Sequence, residues 1–266
     1  EQTELVNPDG AYHESTDYMR ITWAPLAMMA EVRRTTTGED PAARWSAFRN
    51  MGTTYLYKVL PDGSEARDDD NEYPHLDARD NVVLGYAVHR FKDPYAAWLL
   101  QQRAWLPAEW ANPVLQFLWS DPAVVPRDPA TTTERELPRH RHFRGVGHLV
   151  LRDGWDRGST WIQLAGGPYF AKHEHLDVYH KGYLAIDAGA DYTDTESPHY
   201  LNHYRRTIAH NTVLVYQPGE RFFWSENRWP AANDGGQRMD SSRFWNSVRS
   251  LEDWRRTRDL WDRCTL

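Results

Sequence analysis

The segment from Asp121 to Pro138, D-P-A-V-V-P-R-D-P-A-T-T-T-E-R-E-L-P, has no periodic apolar face and separates two stretches of different periodicity. Before it, between Thr16 and Trp119, apolar residues recur at helical spacing. Tyr18, Ile21, Thr22 and Pro25 lead into Leu26 and Met29, and Val82, Val83, Tyr86 and Arg90 repeat the rhythm. The runs T-T-T-G-E-D-P, L-P-D-G-S, K-D-P-Y and A-N-P interrupt it, and Asp or Asn ahead of Pro supplies a cap followed by a first helical turn. This pattern predicts between four and six helices joined by short loops. After the segment, His148–Arg152, Thr160–Ala165, Tyr183–Asp187 and Thr212–Tyr216 are short β-branched and aromatic runs, bounded by Gly, Pro and Asp. They predict an antiparallel sheet, packed as a sandwich. From Phe223 onward the periodicity fades; W-P-A-A-N-D-G-G-Q-R-M-D-S-S reads as a loop, and the final W-R-R-T-R-D-L-W-D-R-C-T-L fits either a strand pair or a helix. The expected fold class is α+β and multidomain, with residues 1–125 helical, 126–139 a linker and 140–266 a β-sandwich.

Composition narrows the function classes. A formal charge of −7 and a pI near 5.9 provide no global basic field, which disfavours nucleic acid as a partner. A polyanionic ligand must then be met by local basic residues. The lone cysteine, Cys264, excludes an intramolecular disulfide framework and a multi-cysteine metal site. No apolar run is long enough to span a bilayer, so membrane insertion is not expected. The opening E-Q-T-E-L-V-N-P-D-G has neither a basic start nor an apolar signal core; any export leader is expected outside this chain. Thirteen Trp, fourteen Tyr and eight Phe form a large aromatic set, which serves core packing and also stacking on sugar rings.

Chemistry-bearing residues concentrate in one place. Six of the twelve histidines fall between Lys172 and Asn211, in K-H-E-H-L-D, Y-H-K-G-Y-L-A-I-D-A-G-A-D-Y and Y-R-R-T-I-A-H-N-T-V-L-V-Y. On a strand, His173, His175 and Asp177 share one face. Two such histidines can form the corner of a metal site, with Asp187 and His210 as further ligands; without cysteine partners the natural set is His, Asp and His. The same H-x-H spacing also serves a hydrogen-bonded surface pair. A second cluster, Tyr12, His13, Glu14 and Tyr18, surrounds the entry to the first helix. A buried tyrosine beside a cation can act as general acid or base, and Tyr18 at this spacing is equally a helix-face aromatic.

The motifs K-H-E-H-L-D, Y-H-K-G-Y-L-A-I-D-A-G and R-R-T-I-A-H-N-T-V-L-V-Y resemble the C-terminal signature of the heparinase II/III family of polysaccharide lyases, nearest its heparinase II-like members. D-G-A-Y-H-E-S-T-D-Y resembles the tyrosine-bearing motif of that family's helical domain, with a serine where a glycine is commoner. The motifs occur in the family's order, on either side of the linker. The resemblance implies the C-terminal part of an (α/α) toroid followed by an antiparallel β-sandwich, with a polysaccharide cleft between them. It implies Tyr18 and His173 as catalytic residues and His175, Asp187 and His210 as ligands of a site-organising zinc ion. The implied reaction is β-elimination at a uronic acid, with an acidic polysaccharide as the partner and a periplasmic or extracellular location. Tyr192, His203, Arg205 and Arg206 are candidate substrate contacts, since guanidinium forks suit carboxylate and sulfate.

Two departures from the family pattern stand out. The family's uronate-neutralising Asn or His on an earlier helix has no counterpart here, so the chain is expected to start partway through the toroid. The His175 to Asp187 interval is also shorter than the family's. A metal-dependent glycan hydrolase, with a bound water as nucleophile, and a non-catalytic glycan-binding protein of the same fold are the competing readings.

Overall fold

Apolar side chains at i, i+4 and i+8 of the first helix set the core. The computed structural model describes residues 7–12, 15–67, 78–102, 113–166, 175–187, 203, 207–215, 222–224 and 229–231. Helix α1 (Ser15–Thr37) buries Met19, Trp23, Ala27 and Ala30, with the Trp23 ring edge-on to Phe48 at 5.3 Å. This face differs from the expected one. Ile21 and Met29 are 48% and 59% exposed and Pro25 lies on the outside, because burying the Met19–Trp23 pair turns those residues outward. Pro25 has no N–H for the Ile21 carbonyl, and on this exposed side water can serve that carbonyl instead.

The remaining helices follow the punctuation. Short α2 (Pro41–Arg44) begins at Pro41, and Asp40 caps it by accepting from the Ala43 N–H at 3.1 Å. Helix α3 (Ser46–Lys58) ends where L-P-D-G-S turns the chain; Gly63 takes φ +91° there, and Asp62 accepts from the Ser64 N–H. Helix α4 (Ala78–Phe91) buries Val82, Val83 and Tyr86 as its spacing predicts. Asp93 caps α5 (Pro94–Gln102) through the N–H groups of Tyr95 and Ala96, and α6 starts at Pro113 and runs to Trp119. Six helices are thus present among the described residues. The N-P-D-G turn fastens the start of the chain to both layers. Gly10 has φ +86°, and a Cβ there would lie 2.5 Å from the Asn50 carbonyl carbon, while Asp9 accepts from the Gly145 N–H at 3.1 Å.

Residues 121–138 contain no strand or α-helix, as expected, but they are strapped down instead of hanging free. The Arg127 N–H donates to the Pro94 carbonyl, Asp128 caps the single turn Pro129–Thr131, and the Tyr57 hydroxyl donates to the Pro138 carbonyl at 2.5 Å.

Five strands follow: β1 (His140–Phe143), β2 (His148–Arg152), β3 (Trp161–Ala165), β4 (His175–Tyr179) and β5 (Tyr183–Ala185), antiparallel neighbours in chain order. Alternation puts Val150, Trp161, Gln163, His175, Asp177 and Tyr179 on the buried face, and Leu151, Leu164 and Leu176 outside. The expected strand Thr212–Tyr216 is not one over its described part. Residues 212–215 are irregular because a turn from the Thr212 N–H to the His210 carbonyl diverts the backbone from an extended path. Conversely, the stretch read as featureless after Phe223 contains a small antiparallel pair, β6 (Phe222–Trp224) with β7 (Trp229–Ala231).

Sheet and helices meet at the end of α3, whose last carbonyls have no intrahelical partner. The Trp161 indole N–H donates to the Tyr57 carbonyl at 2.9 Å. Arg152 donates through Nη2 to the carbonyls of Leu56, Tyr57 and Val59 and lies over the Trp155 ring at 4.6 Å. Burial pushes the Arg152 guanidinium down to about 9, a cost offset by these carbonyls and by the negative end of the helix. Tyr57 packs edge-on to Phe143 and Trp155, so one continuous core spans both layers. Arg152→Met keeps the apolar stem but leaves those carbonyls dry; chemical denaturation is expected to show a loss of about 2–4 kcal/mol.

Candidate functional site

Alternation on β4 decides which side chains enter the interior. His175, Asp177 and Tyr179 point to the helices, and Asp177 is fully buried. Asp187 follows β5, and His210 follows the single turn Thr207–Ala209. His175, Asp187 and His210 are all buried, and one ligand atom from each lies within 4.8 Å of the others. The His175 and His210 rings are edge-to-face at 5.4 Å, and His210 Nδ1 is 3.5 Å from Asp187 Oδ2.

Asp177 organises this group. Its Oδ1 is 3.0 Å from His175 Nε2 and accepts the backbone N–H of Asp187 at 3.2 Å. A carboxylate on Nε2 fixes the imidazole proton there, and the Nδ1 lone pair accepts the Asn211 N–H at 3.2 Å, so an ion binding Nδ1 would take the place of that N–H. The donor chemistry therefore fits a borderline divalent cation such as zinc: two imidazoles and a carboxylate, buried and close together, with a carboxylate behind one of them.

A band of buried polar groups continues from this cluster along the inner face of the sheet. Cross-strand pairing places Asp177 opposite Gln163, and His175 and His148 on either side of Ala165. Lys58, the last residue of α3, contacts His148 Nδ1 at 2.8 Å and donates to Gln163 Oε1 at 2.5 Å. The Lys58 carbonyl accepts from the Ala66 N–H. Next to Ala66, Glu65 accepts from Thr16 on the first turn of α1, and the Arg67 N–H donates to the Tyr183 hydroxyl on β5. One turn further along α1, buried Arg20 pairs with Asp17 and lies 3.6 Å from Asp80. Burial, reinforced by Asp80 and Glu65, raises the neighbouring Tyr55 hydroxyl well above its ordinary pKa.

Tyr18 sits half-buried in the first turn of α1, on the helix whose Thr16 joins this band. His203 is half-buried too. His13, Glu14, His173, Tyr192, Arg205 and Arg206 lie outside the described residues. The structure thus brings together the three residues expected to bind metal, while four of the six expected catalytic and substrate contacts are not described. His180, also in the histidine-rich stretch, is exposed and contacts the Thr160 hydroxyl at 3.2 Å, away from the cluster.

Sequence reasoning gave no role to Lys58, His148, Gln163 or Asn211, and placed Asp177 on the correct face without assigning it one. The available signal was a polar residue at an inward strand position, Gln163 between Trp161 and Ala165.

Neither a protein-family model nor a curated protein matches the sequence. Solved structures do. A heparinase III with methylated lysines superimposes with a TM-score of 0.57 at 15% identity, over 86% of this chain and 34% of that one. A mutant heparan sulfate lyase HepC from Pedobacter heparinus gives 0.54 at 16% identity, over 84% and 34%. Another heparinase III gives 0.53 at 17% identity, over 85% and 36%. The architecture of helices followed by an antiparallel sheet is therefore one found in heparinase structures. The chain shares this fold and spans about a third of the length of the solved chains it matches.

Replacing Asp177 by Ala removes the acceptor of two buried donors. Thermal or urea denaturation should register a loss of about 1–3 kcal/mol without added metal, and an unchanged midpoint would show that Asp177 does not organise the cluster.

Proposed function

We propose that this chain carries part of a polysaccharide lyase that cleaves uronic-acid-containing glycans, glycosaminoglycans of the heparan sulfate kind among them, by β-elimination. One observation carries the reading: His175, Asp187 and His210, separated in sequence and expected as ligands from their residue types and from the motif resemblance, converge in a buried cluster. They do so on a fold shared with heparinase III and a heparan sulfate lyase.

In the proposed reaction a base takes the proton on C5 of the uronate, and the electron pair forms the C4–C5 double bond. The C4–O bond breaks, and the departing oxygen takes a proton from an acid. Tyr18 is that acid and also a candidate base; His173 is the complementary base or the group that neutralises the uronate carboxylate. Neutralising that carboxylate raises the acidity of C5–H. Arg205, Arg206, His203 and Tyr192 are proposed to hold the acidic sugar. His175, Asp187 and His210 would hold zinc, whose contribution is to fix the site's shape. The role of this chain's own residues there is to hold the ends of β4 and β5 and the turn at His210 together.

The finer architecture belongs to the same proposal: residues 1–125 as a portion of an (α/α) toroid, 126–139 as the linker and 140–266 as a β-sandwich. Ile21, Met28, Met29 and Val32 form an exposed apolar strip on α1 that suits a neighbouring helix. Leu151, Leu164, Leu176, Leu184 and Ile186 are exposed on the outer side of the sheet, and such a face suits a second sheet. A polymeric acidic substrate places the protein in the periplasm or outside the cell.

Incubating the intact protein with a panel of uronate polysaccharides is expected to yield an unsaturated product seen by its ultraviolet absorbance. Hydrolysis would instead add water and leave no double bond, and retention of glycan without any product would indicate a binding protein. Tyr18→Phe should lower turnover roughly 10²–10⁴-fold; equal turnover would remove Tyr18 from the chemistry. Elemental analysis should find zinc in the purified protein and little in His175→Ala or His210→Ala, whereas zinc retained by both variants would exclude the cluster as its site.

A further inference from the structure

We propose that Asn211 is the positioning residue that assembles the cluster, tying together the three segments that carry His175, Asp187 and His210. The inference rests on the metal-site reading for its functional meaning, but the bonds that motivate it are independent of any ion.

Asn211 directly follows His210, and its contacts reach the other two segments. The two N–H bonds of its side-chain amide are both used: Nδ2 donates to the Leu176 carbonyl at 3.0 Å and to the Ile186 carbonyl at 3.1 Å. Leu176 is the residue after His175, and Ile186 the residue before Asp187. The Asn211 backbone adds two more contacts. Its carbonyl accepts from the Leu176 N–H at 3.3 Å, and its N–H donates to His175 Nδ1 at 3.2 Å, a bond of the metal-free cluster that an ion on Nδ1 would replace.

The sheet explains why such a clamp is needed. Pairing of β4 with β5 consists of Val178 with Ala185 and Tyr179 with Tyr183, with an irregularity between Val178 and Tyr179. Leu176 and Ile186 lie beyond the last of these pairs, so regular pairing does not extend to the two ligand positions. Asn211 bridges the carbonyls of both segments there. Asp lacks the N–H donors and would set a carboxylate against two carbonyl oxygens; Ser has one donor where two are used. Asn211 itself is exposed, so replacing it leaves no hole in the core.

The test compares Asn211→Ala and Asn211→Asp with the parent protein and with His175→Ala. Zinc affinity, measured by chelator competition, is expected to fall about 10–100-fold in both Asn211 variants, as for other residues that orient ligands from behind. In the metal-free protein, the ring signals of His175 and His210 in histidine-labelled NMR spectra should shift or broaden, and the Leu176 amide should exchange faster. Wild-type zinc affinity together with unchanged ring signals would overturn the inference. If the parent protein binds no zinc, the metal reading fails, and the metal-free measurements alone decide: altered rings and faster Leu176 exchange support the clamp, and unchanged ones reject it.

Discussion

The end of α3 is the point on which the two layers depend. A helix that stops in a protein interior leaves its last carbonyls without hydrogen, and here the donors come from the sheet: the Trp161 indole and the Arg152 guanidinium. Arg152 is buried with backbone carbonyls as its partners, a placement that depresses its pKa yet keeps the helix terminus satisfied. The donors come from adjacent strands and are paired directly across them, Arg152 opposite Trp161, so the register of β2 with β3 and the seating of the sheet on the helix are one constraint.

That seating is also what carries the polar band into the interior. Lys58 closes α3 immediately beside the carbonyls that Arg152 holds, and its ammonium meets His148 and Gln163 on the same two strands. One step across the sheet lie His175 and Asp177. Charged and polar groups so deeply placed are costly unless satisfied, and here helix and sheet supply partners to one another. The cluster of His175, Asp187 and His210 sits at the end of this band, supported on one side by Asp177 and on the other by Asn211.

Legibility from sequence followed the range of the interactions. Helix starts at Asp40–Pro41 and Asp93–Pro94 were readable because capping is decided within a few residues, and β2 was readable because H-L-V-L-R is a short apolar run bounded by Gly147 and Asp153. The buried side of α1 was not. Its sequence offers two apolar strips, Met19–Trp23–Ala27 and Ile21–Met29, and only packing against Phe48 chooses between them. The ligand set was legible through motif resemblance and through the shared strand face of His175 and Asp177. The parts that went unread, Lys58 with His148 and Asn211 with Leu176 and Ile186, are hydrogen bonds between residues distant in the chain, and local pattern carries no trace of them. The pair β6 and β7 was missed because three-residue strands give too little alternation to count.

Three backbone carbonyls gathered by one guanidinium nitrogen have a mechanical meaning. Tilting the sheet against α3 would strain the contacts to Leu56, Tyr57 and Val59 together; Nη2 shares its two hydrogens among the three carbonyls, and a charge-assisted bond is worth about 1.5–3 kcal/mol. With the Trp161 indole on the Tyr57 carbonyl as well, the joint resists tilting, and helix and sheet are coupled at this point.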